Sequence, residues 1–282
     1  MPAKTAFGVD VGGSGIKGAP VDLDTGELTE ERFKILTPQP ATPEAVVGVI
    51  AELLDHFDLD QSVPVGVSFP APILSGVVPW MANLDQSWVG VNLAEAVRRG
   101  TGRNTTVVND ADAAGYAEVA FGVAKDHPGT VAVMTLGTGI GVALITAGKL
   151  WPNAELGHLT INGKDAEKWA AASAKERESL TWAKWARRLQ RYFTEIDRLL
   201  WPDLIVVGGG ISRKHDKFLP LLHLRPKIVP AALRNSAGIV GAAVLAWQDA
   251  ASAQAAATPA LRTTPATAAT PAPPAAPPSL NA

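Results

Sequence analysis

At 282 residues, 47% of them hydrophobic, the chain is long enough to bury a large core and to form two domains. It has no cysteine, which excludes disulfides, thiolate zinc sites and a cysteine nucleophile, and fits a reducing compartment. Its net charge of −2, with both signs interspersed, argues against a general nucleic-acid binder, which would carry a basic stripe, and no run approaches the roughly 18 apolar residues of a membrane span.

The opening residues, MPAKTAFGVD, carry one lysine and pass directly into a strand pattern over residues 6–11. No secretory leader is expected, and a soluble cytoplasmic protein is. The next stretch, GVDVGGSGIKG at 8–18, contains a literal GxGxxG in Gly13, Gly15 and Gly18. A dinucleotide fingerprint requires a helix directly after the glycines. Here Pro20 would fall about one turn into such a helix, removing a donor and clashing with the preceding turn. Val21 and Leu23 instead alternate with Asp22 and Asp24 before a Thr25-Gly26 turn. That pattern reads as strand, glycine turn, strand. A tight glycine turn can wrap a phosphate with backbone N–H groups, and Asp10 directs a carboxylate at the same place. Carboxylate and phosphate repel unless a divalent cation lies between them, so the pair suggests Mg²⁺ held through water and phosphate oxygens. Taken alone, the stretch leaves open a glycine hairpin with no ligand.

Further short β patterns cover residues 63–69, 105–108, 130–136 and 204–207, and helical patterns cover 43–57, 93–100, 111–121, 166–199 and 238–250. Their alternation indicates an α/β fold. The hairpin pattern recurs where 131–136 is followed by GTGIG at 137–141 and a strand-like 142–145, which implies an internal duplication. Trp169, Trp182 and Trp185 recur at roughly helical spacing in the long helix expected over 166–199, and are read as core and interdomain packing. Residues 251–282 hold thirteen Ala and seven Pro with Arg262 as the sole charge, and are expected to form a disordered Ala/Pro-rich tail.

Two glycine hairpins, an Asn-Asp pair between them and a late IVVGGGIS at 205–212 form a set that resembles the ROK-type sugar kinases of the actin-like ATPase superfamily. Within these the chain is similar to the polyphosphate glucokinase subgroup, which includes the polyphosphate/ATP glucomannokinases. The resemblance rests on GVDVGGSGIKG, TPQPATP at 37–43, ANLDQSW at 82–88, NDADAAG at 109–115, TLGTGIG at 135–141, PNAELGH at 152–158, KDAE at 164–167 and NSAGIVGAA at 235–243. It runs from residue 7 to about residue 247.

The resemblance implies a two-lobed actin-like ATPase (ribonuclease H-like) fold with duplicated phosphate-binding hairpins. The small N-terminal lobe would span 1–108, joined by the helix near 238–250, and the large lobe 109–237. The implied activity is phosphorylation of glucose, and of mannose, at the 6-hydroxyl, with Mg²⁺ and with inorganic polyphosphate or ATP as donor. Asp110 matches the catalytic base, a role in which a carboxylate contributes roughly 10²- to 10⁴-fold. The other reading of the Asn-Asp pair is a helix cap, a role for which Asp112 is the better candidate. Asn83, Asn109, Glu155, His158 and Glu167 match sugar-contacting positions, whereas Trp88 is read as packing. Many ROK kinases carry a cysteine-rich zinc loop between the equivalents of His158 and Glu167. Here that segment is LTINGKDA, so no zinc site is expected and another element must position Glu167.

For the donor, Asp10, Gly12, Gly13, Ser14, Gly15 and Lys17 match the first phosphate turn, Thr138 and Gly139 the second, and Gly208, Gly209 and Gly210 an adenosine motif. Arg213, Lys214 and Lys217 lie near the expected donor cleft and are read either as a polyphosphate site or as a solvated face. One departure is Ala71, where relatives show Gly after Pro70. Relatives' assemblies imply a homodimer. A ROK-type sugar sensor without kinase activity and an ATP-only hexokinase stay open as alternatives. A DNA-binding repressor is not expected, because the first strand begins too early for a preceding helix-turn-helix, and neither nucleic-acid nor membrane partners are expected.

Overall fold

Hydrophobic alternation folds β1 (Thr5–Val11) and β2 (Ile16–Asp22) into an antiparallel hairpin in the computed structural model, which describes residues 4–257. Pro20 sits opposite Phe7 in this ladder. It is tolerated because its missing N–H faces the outer edge, where β3 (Phe33–Ile35) pairs only with residues 16–18 and the Pro20 carbonyl accepts Thr29 N–H. α1 (Pro43–His56) starts at a Thr42 cap that accepts Ala45 N–H. β4 (Val65–Phe69) pairs parallel with β1, α2 (Leu93–Thr101) follows, and β5 (Thr105–Asn109) pairs parallel with β4. The first sheet is ordered β3-β2-β1-β4-β5.

α3 (Asp110–Ala120) leads to a second antiparallel hairpin, β6 (Thr130–Leu136) and β7 (Ile140–Thr146), extended by β8 (Lys149–Trp151). A two-stranded ribbon, β9 (Thr160–Ile161) and β10 (Lys164–Asp165), precedes three helices, α4 (Ala166–Ala170), α5 (Ala172–Arg177) and α6 (Trp182–Leu200). β11 (Leu204–Gly208) and β12 (Lys227–Pro230) then complete the sheet β12-β11-β6-β7-β8. Each sheet therefore consists of three antiparallel strands joined to two parallel ones, the duplication that the repeated hairpin pattern implies.

The long helix expected over 166–199 is broken twice. Ala171 is extended at φ −59° and ψ 162°, Ser179 is left-handed at φ +47°, and Thr181 caps α6 by accepting Lys184 N–H. The Ser-Leu-Thr run is thus a stop and restart that tryptophan spacing obscures. Trp185 is buried with its Nε1 donating to the Ala170 carbonyl at 2.9 Å, and its ring meets Phe218 edge to face.

The connecting helices exchange sides. α3 leaves the first sheet and packs on β6 and β7, whereas α7 (Ala237–Ala257) leaves the second sheet and packs on β1, β4 and β5. The two helices touch between the sheets, with small residues at the crossing. A Cβ on Gly66 would collide with the Ala242 carbonyl, and one on Gly241 with that of Ala113. α7 also runs further than expected. Residues 251–257 are helical rather than part of a tail, an Ala-rich stretch that helix propensity favours. Residues 258–282, the rest of the segment read as a disordered tail, lie outside the described residues.

Two glycine substitutions, one in β4 against α7 and one in α1, are opposite in sign. Gly66→Ala is expected to destabilise by about 1–3 kcal/mol through overpacking. Gly48→Ala, exposed inside α1 with nothing near its Cβ position, is expected to stabilise by about 0.5–1 kcal/mol. Thermal unfolding of the two variants checks the signs.

Candidate active site

The site is built from the junction of β5 and α3. Asn109, which ends the strand, accepts N–H bonds from Ala111 at 2.9 Å and Asp112 at 3.1 Å, so it caps α3. The cap expected of Asp112 therefore belongs to Asn109, whose position before the helix lets its short side chain reach back to the first turn. Its Nδ2 donates to the Ala71 carbonyl at 3.2 Å, which ties the helix start to the loop after β4. Ala71 is buried and lines the central cavity.

Asp112 is 1% exposed and lies inside. Its Oδ2 accepts Asn153 N–H at 2.7 Å, while its Oδ1 is buried without a partner. Asn153, left-handed at φ +59°, exchanges two hydrogen bonds of 2.9 Å with the backbone of Ile73. Burial pushes Asp112 up to about 7 against the opposing Asn153 N–H, with Glu155 adding repulsion. Burial likewise pushes Asp110 up to about 7, helped by the charge of Asp10 and opposed by Ala111 N–H.

Asp10 accepts a bond from Ser68 Oγ at 3.1 Å and pairs with Lys17 at 3.2 Å. Among the described residues no three His, Cys, Asp or Glu side chains converge as a metal cage. The oxygen donor of Asp10, beside the first glycine turn and close enough to raise Asp110, fits a hard cation held chiefly by water and anionic oxygens.

On the facing side, Glu155 precedes a short 3-10 turn, Leu156–His158. Burial raises the Glu155 carboxyl, partly offset by His158, with Glu167 raising it further. His158 Nδ1 lies 3.2 Å from Asp165 Oδ2. A carboxylate partner makes Nδ1 the donor and leaves Nε2 facing Glu155 at 4.0 Å. Asp165 also caps α4 by accepting Lys168 N–H. Although burial alone would raise it, these two contacts hold Asp165 below its ordinary value. Glu167, in the first turn of α4, accepts Ile140 N–H at 2.9 Å. The short β9–β10 ribbon and the capped α4 are thus what positions Glu167 in the cysteine-free segment.

These elements enclose a cavity of about 450 Å³. Asn83, Asn109, Asp110, Glu155, His158 and Glu167 line it together with Gly12, Gly13, Thr138, Gly139 and Gly209. A second cavity of about 210 Å³ is lined by Asp10, Lys17, Asp110 and Gly208, Gly209 and Gly210. Asp110 faces both. Each glycine turn is tied down by a hydroxyl, Thr37 Oγ to the Gly12 carbonyl and Ser173 Oγ to that of Thr138. Ser14 and Gly15 belong to the first turn without lining either cavity. Arg213, Lys214 and Lys217 are exposed on the 3-10 segment Gly210–Lys217, also away from both.

Several site residues escaped the sequence reading. Trp80 lines the large cavity at 47% exposure and meets the His158 ring edge to face at 5.5 Å. Its only signal was its place three residues before Asn83. Asp165 was legible as an N-cap ahead of Glu167, whereas nothing in the sequence links Asn153 to Ile73. Trp88 is buried, its Nε1 donating to the Ala41 carbonyl at 2.9 Å.

Comparison with known proteins places this geometry. A family model described as the ROK family matches residues 6–170. The chain is 52% identical over 244 residues to a polyphosphate glucokinase of Mycobacterium tuberculosis, an alignment covering 86% of this chain and 91% of that one. It is similar to the crystal structure of an inorganic polyphosphate/ATP-glucomannokinase from Arthrobacter sp. strain KM, with 50% identity, a TM-score of 0.82 and coverage of 87% and 99%. A ROK family glucokinase from Streptomyces griseus, solved with glucose and AMPPNP, is 25% identical with a TM-score of 0.72, covering 86% and 99%. No described helix is long and apolar enough to cross a membrane.

The raised Asp112 carboxyl sets a pH dependence of stability. Its folded value of about 7 lies above an unfolded value near 3.9, so between them the folded state binds more protons and stability falls as pH rises. Asp112→Asn keeps an acceptor for Asn153 N–H and removes the charge. Its Tm is expected to exceed that of the parent at pH 8, with the gap closing toward pH 4 in a thermal scan.

Proposed function

The chain belongs to the ROK family, and we propose that it transfers the terminal phosphoryl group of polyphosphate or ATP to the 6-hydroxyl of glucose, with mannose as a second acceptor. The observation that carries this reading is the position of Asp110, one carboxylate facing both cavities, between the sugar-side carboxylates and the two glycine turns.

In this reading the acceptor sugar occupies the larger cavity. Glu155 and Glu167 accept its hydroxyl protons and His158, oriented by Asp165, adds a second donor-or-acceptor atom. Asn83 and Trp80 approach from the opposite wall. Asn109 has spent its Oδ1 on capping, so any sugar contact falls to the second proton of its amide. Asp110 hydrogen-bonds the 6-hydroxyl and takes its proton as the oxygen bonds to the terminal phosphorus. The bond from that phosphorus to the bridging oxygen breaks, and the donor leaves one phosphate shorter. A carboxyl raised to about 7 is a stronger base once ionised than an ordinary aspartate, and near neutrality it is substantially in that form.

Backbone N–H groups of Gly13, Ser14 and Gly15, and of Thr138 and Gly139, would meet the phosphate oxygens without reorganising, while Gly12 N–H closes the turn on the Gly15 carbonyl at 3.2 Å. Gly208, Gly209 and Gly210 would leave room for the adenine of ATP. Mg²⁺, when bound near Asp10 through water, supplies charge neutralisation to the donor. Asp110 and Asp10 both disfavour an uncompensated phosphate beside them, which makes the cation part of donor binding.

The test is formation of glucose 6-phosphate by the purified protein with Mg²⁺, each donor supplied separately. Turnover with both donors is expected, and Asp110→Asn is expected to lower kcat by about 10²- to 10⁴-fold. Turnover with ATP alone would leave an ATP-only hexokinase, and glucose binding without turnover a sugar sensor.

The pH profile gives an independent check. Since Asp110 acts ionised, kcat/KM should rise with pH through an apparent pKa near 7. Asp112 adds like-charge repulsion to Asp110, so Asp112→Asn should move this acid limb to lower pH. A limb that moves up contradicts the assignment.

A further inference from the structure

A polyphosphate donor extends beyond the two glycine turns, and its remaining charges must be met outside the reaction cavity. Lys17 cannot meet them alone, because it is paired with Asp10 at 3.2 Å. Further cations lie on the β3 edge, where Lys34 lies against Gly15, and on the loop before α7. Resting on the phosphotransfer reading above, we propose that the polyphosphate chain leaves the first glycine turn over Lys34 and runs along the β3 edge to Arg32 and Arg234.

Lys34 is the cross-strand partner of Lys17. Directly opposite residues of an antiparallel pair share a face, and two like charges there are unfavourable. Lys17 lines the smaller cavity, so Lys34 stands on the donor side of the sheet. The first turn is shaped around it. A Cβ on Gly15 would overlap Lys34 Cε and lie 3.2 Å from its Nζ. The ammonium group thus lies across the turn that holds the donor's terminal phosphates. An anion shared by Lys17 and Lys34 would remove their repulsion.

Arg32 lies two residues before Lys34, just ahead of β3. Its Nη1 donates to the Asn235 carbonyl at 3.1 Å, which brings the β3 edge to the loop that carries Arg234. Asn235 and Arg234 both line the smaller cavity with Lys17. Arg234 is exposed and left-handed at φ +49°, a conformation an arginine adopts at a cost. The loop is held in it by buried Glu118, whose carboxylate accepts N–H bonds from Ala232 at 3.1 Å and Leu233 at 2.7 Å. Among the described residues no carboxylate forms an ion pair with Arg32, Lys34 or Arg234. Arg234 lines the smaller cavity, whereas Arg213, Lys214 and Lys217 line neither, and the proposed track runs over the β3 edge rather than over them.

The discriminating experiment compares long-chain polyphosphate, tripolyphosphate and ATP as donors for the full chain and for a Lys34→Gln, Arg234→Gln double variant. The variant's Tm is measured to confirm folding. The expected result is a fall of about tenfold or more in the polyphosphate-to-ATP ratio of kcat/KM, largest for the long chain, with a log–log salt dependence of polyphosphate KM shallower by roughly one to two. A triple Arg213→Gln, Lys214→Gln, Lys217→Gln variant is expected to change that ratio less than about twofold by the same charge argument. An equal loss with all three donors would overturn the track and make Lys34 and Arg234 ordinary contacts of the terminal phosphates. An unchanged ratio in the double variant, or its collapse in the triple variant, would also overturn it. Turnover with ATP and none with any polyphosphate in the parent protein would remove the polyphosphate reading itself, an outcome distinct from failure of the track.

Discussion

Asn109 is the residue on which the geometry of the site depends. Its side chain closes the first turn of α3 with two accepted bonds and reaches the Ala71 carbonyl with its amide. A strand that must end in a helix leaves several N–H groups without partners. Satisfying two of them from Asn109 turns the next residue, Asp110, toward the space between the sheets. The same residue anchors the loop after β4, so the acid and one wall of the larger cavity are tied together. Asn153 repeats this logic from the other side, joining the buried Asp112 of α3 to the backbone of Ile73. The helix start is thereby clamped between the segments that bracket the acceptor space.

The electrostatics follow from that clamp. Burying two carboxylates within one helical turn is unfavourable unless each has partners or gives up its charge. Asp112 has one partner on Oδ2 and none on Oδ1, and Asp110 faces Asp10 across the cleft, so both carboxyls rise to about 7. Acid groups thus line the floor, while backbone N–H groups surround the glycine turns and unpaired cations sit at the rim of β3 and beside α7. Charge is sorted by depth, with raised carboxyls inside and cationic side chains outside.

The exchange of α3 and α7 between the sheets gives this arrangement its rigidity. Each helix leaves one sheet and packs on the other, and they meet through glycines and alanines whose small side chains allow close backbone approach. α3 carries Asp110 at its start and Glu118 near its end, and Glu118 holds the loop of Arg234. One helix therefore positions groups on the acceptor side and on the donor rim.

Much of this was legible in local pattern. Proline after the glycines excluded a helix, and alternation on both sides of each glycine run predicted two hairpins, which is how β1–β2 and β6–β7 fold. The sugar-side residues Asn83, Asn109, Glu155, His158 and Glu167 were named from motifs, and all line one cavity with Asp110. Local pattern failed where a signal depended on a distant partner. The region expected to be one long helix breaks at Ala171 and Ser179, and the cap of α3 is Asn109 rather than Asp112. By itself, then, the sequence determined the periodicities, the glycine turns and the residue types able to do the chemistry, because these follow from backbone sterics and side-chain chemistry within a few positions. Only the tertiary structure decided that Asp110 faces both cavities, that Asp165 orients His158, and that Arg32 reaches the loop of Arg234. Burial and like-charge proximity arise between segments far apart in the chain, where no local spacing records them.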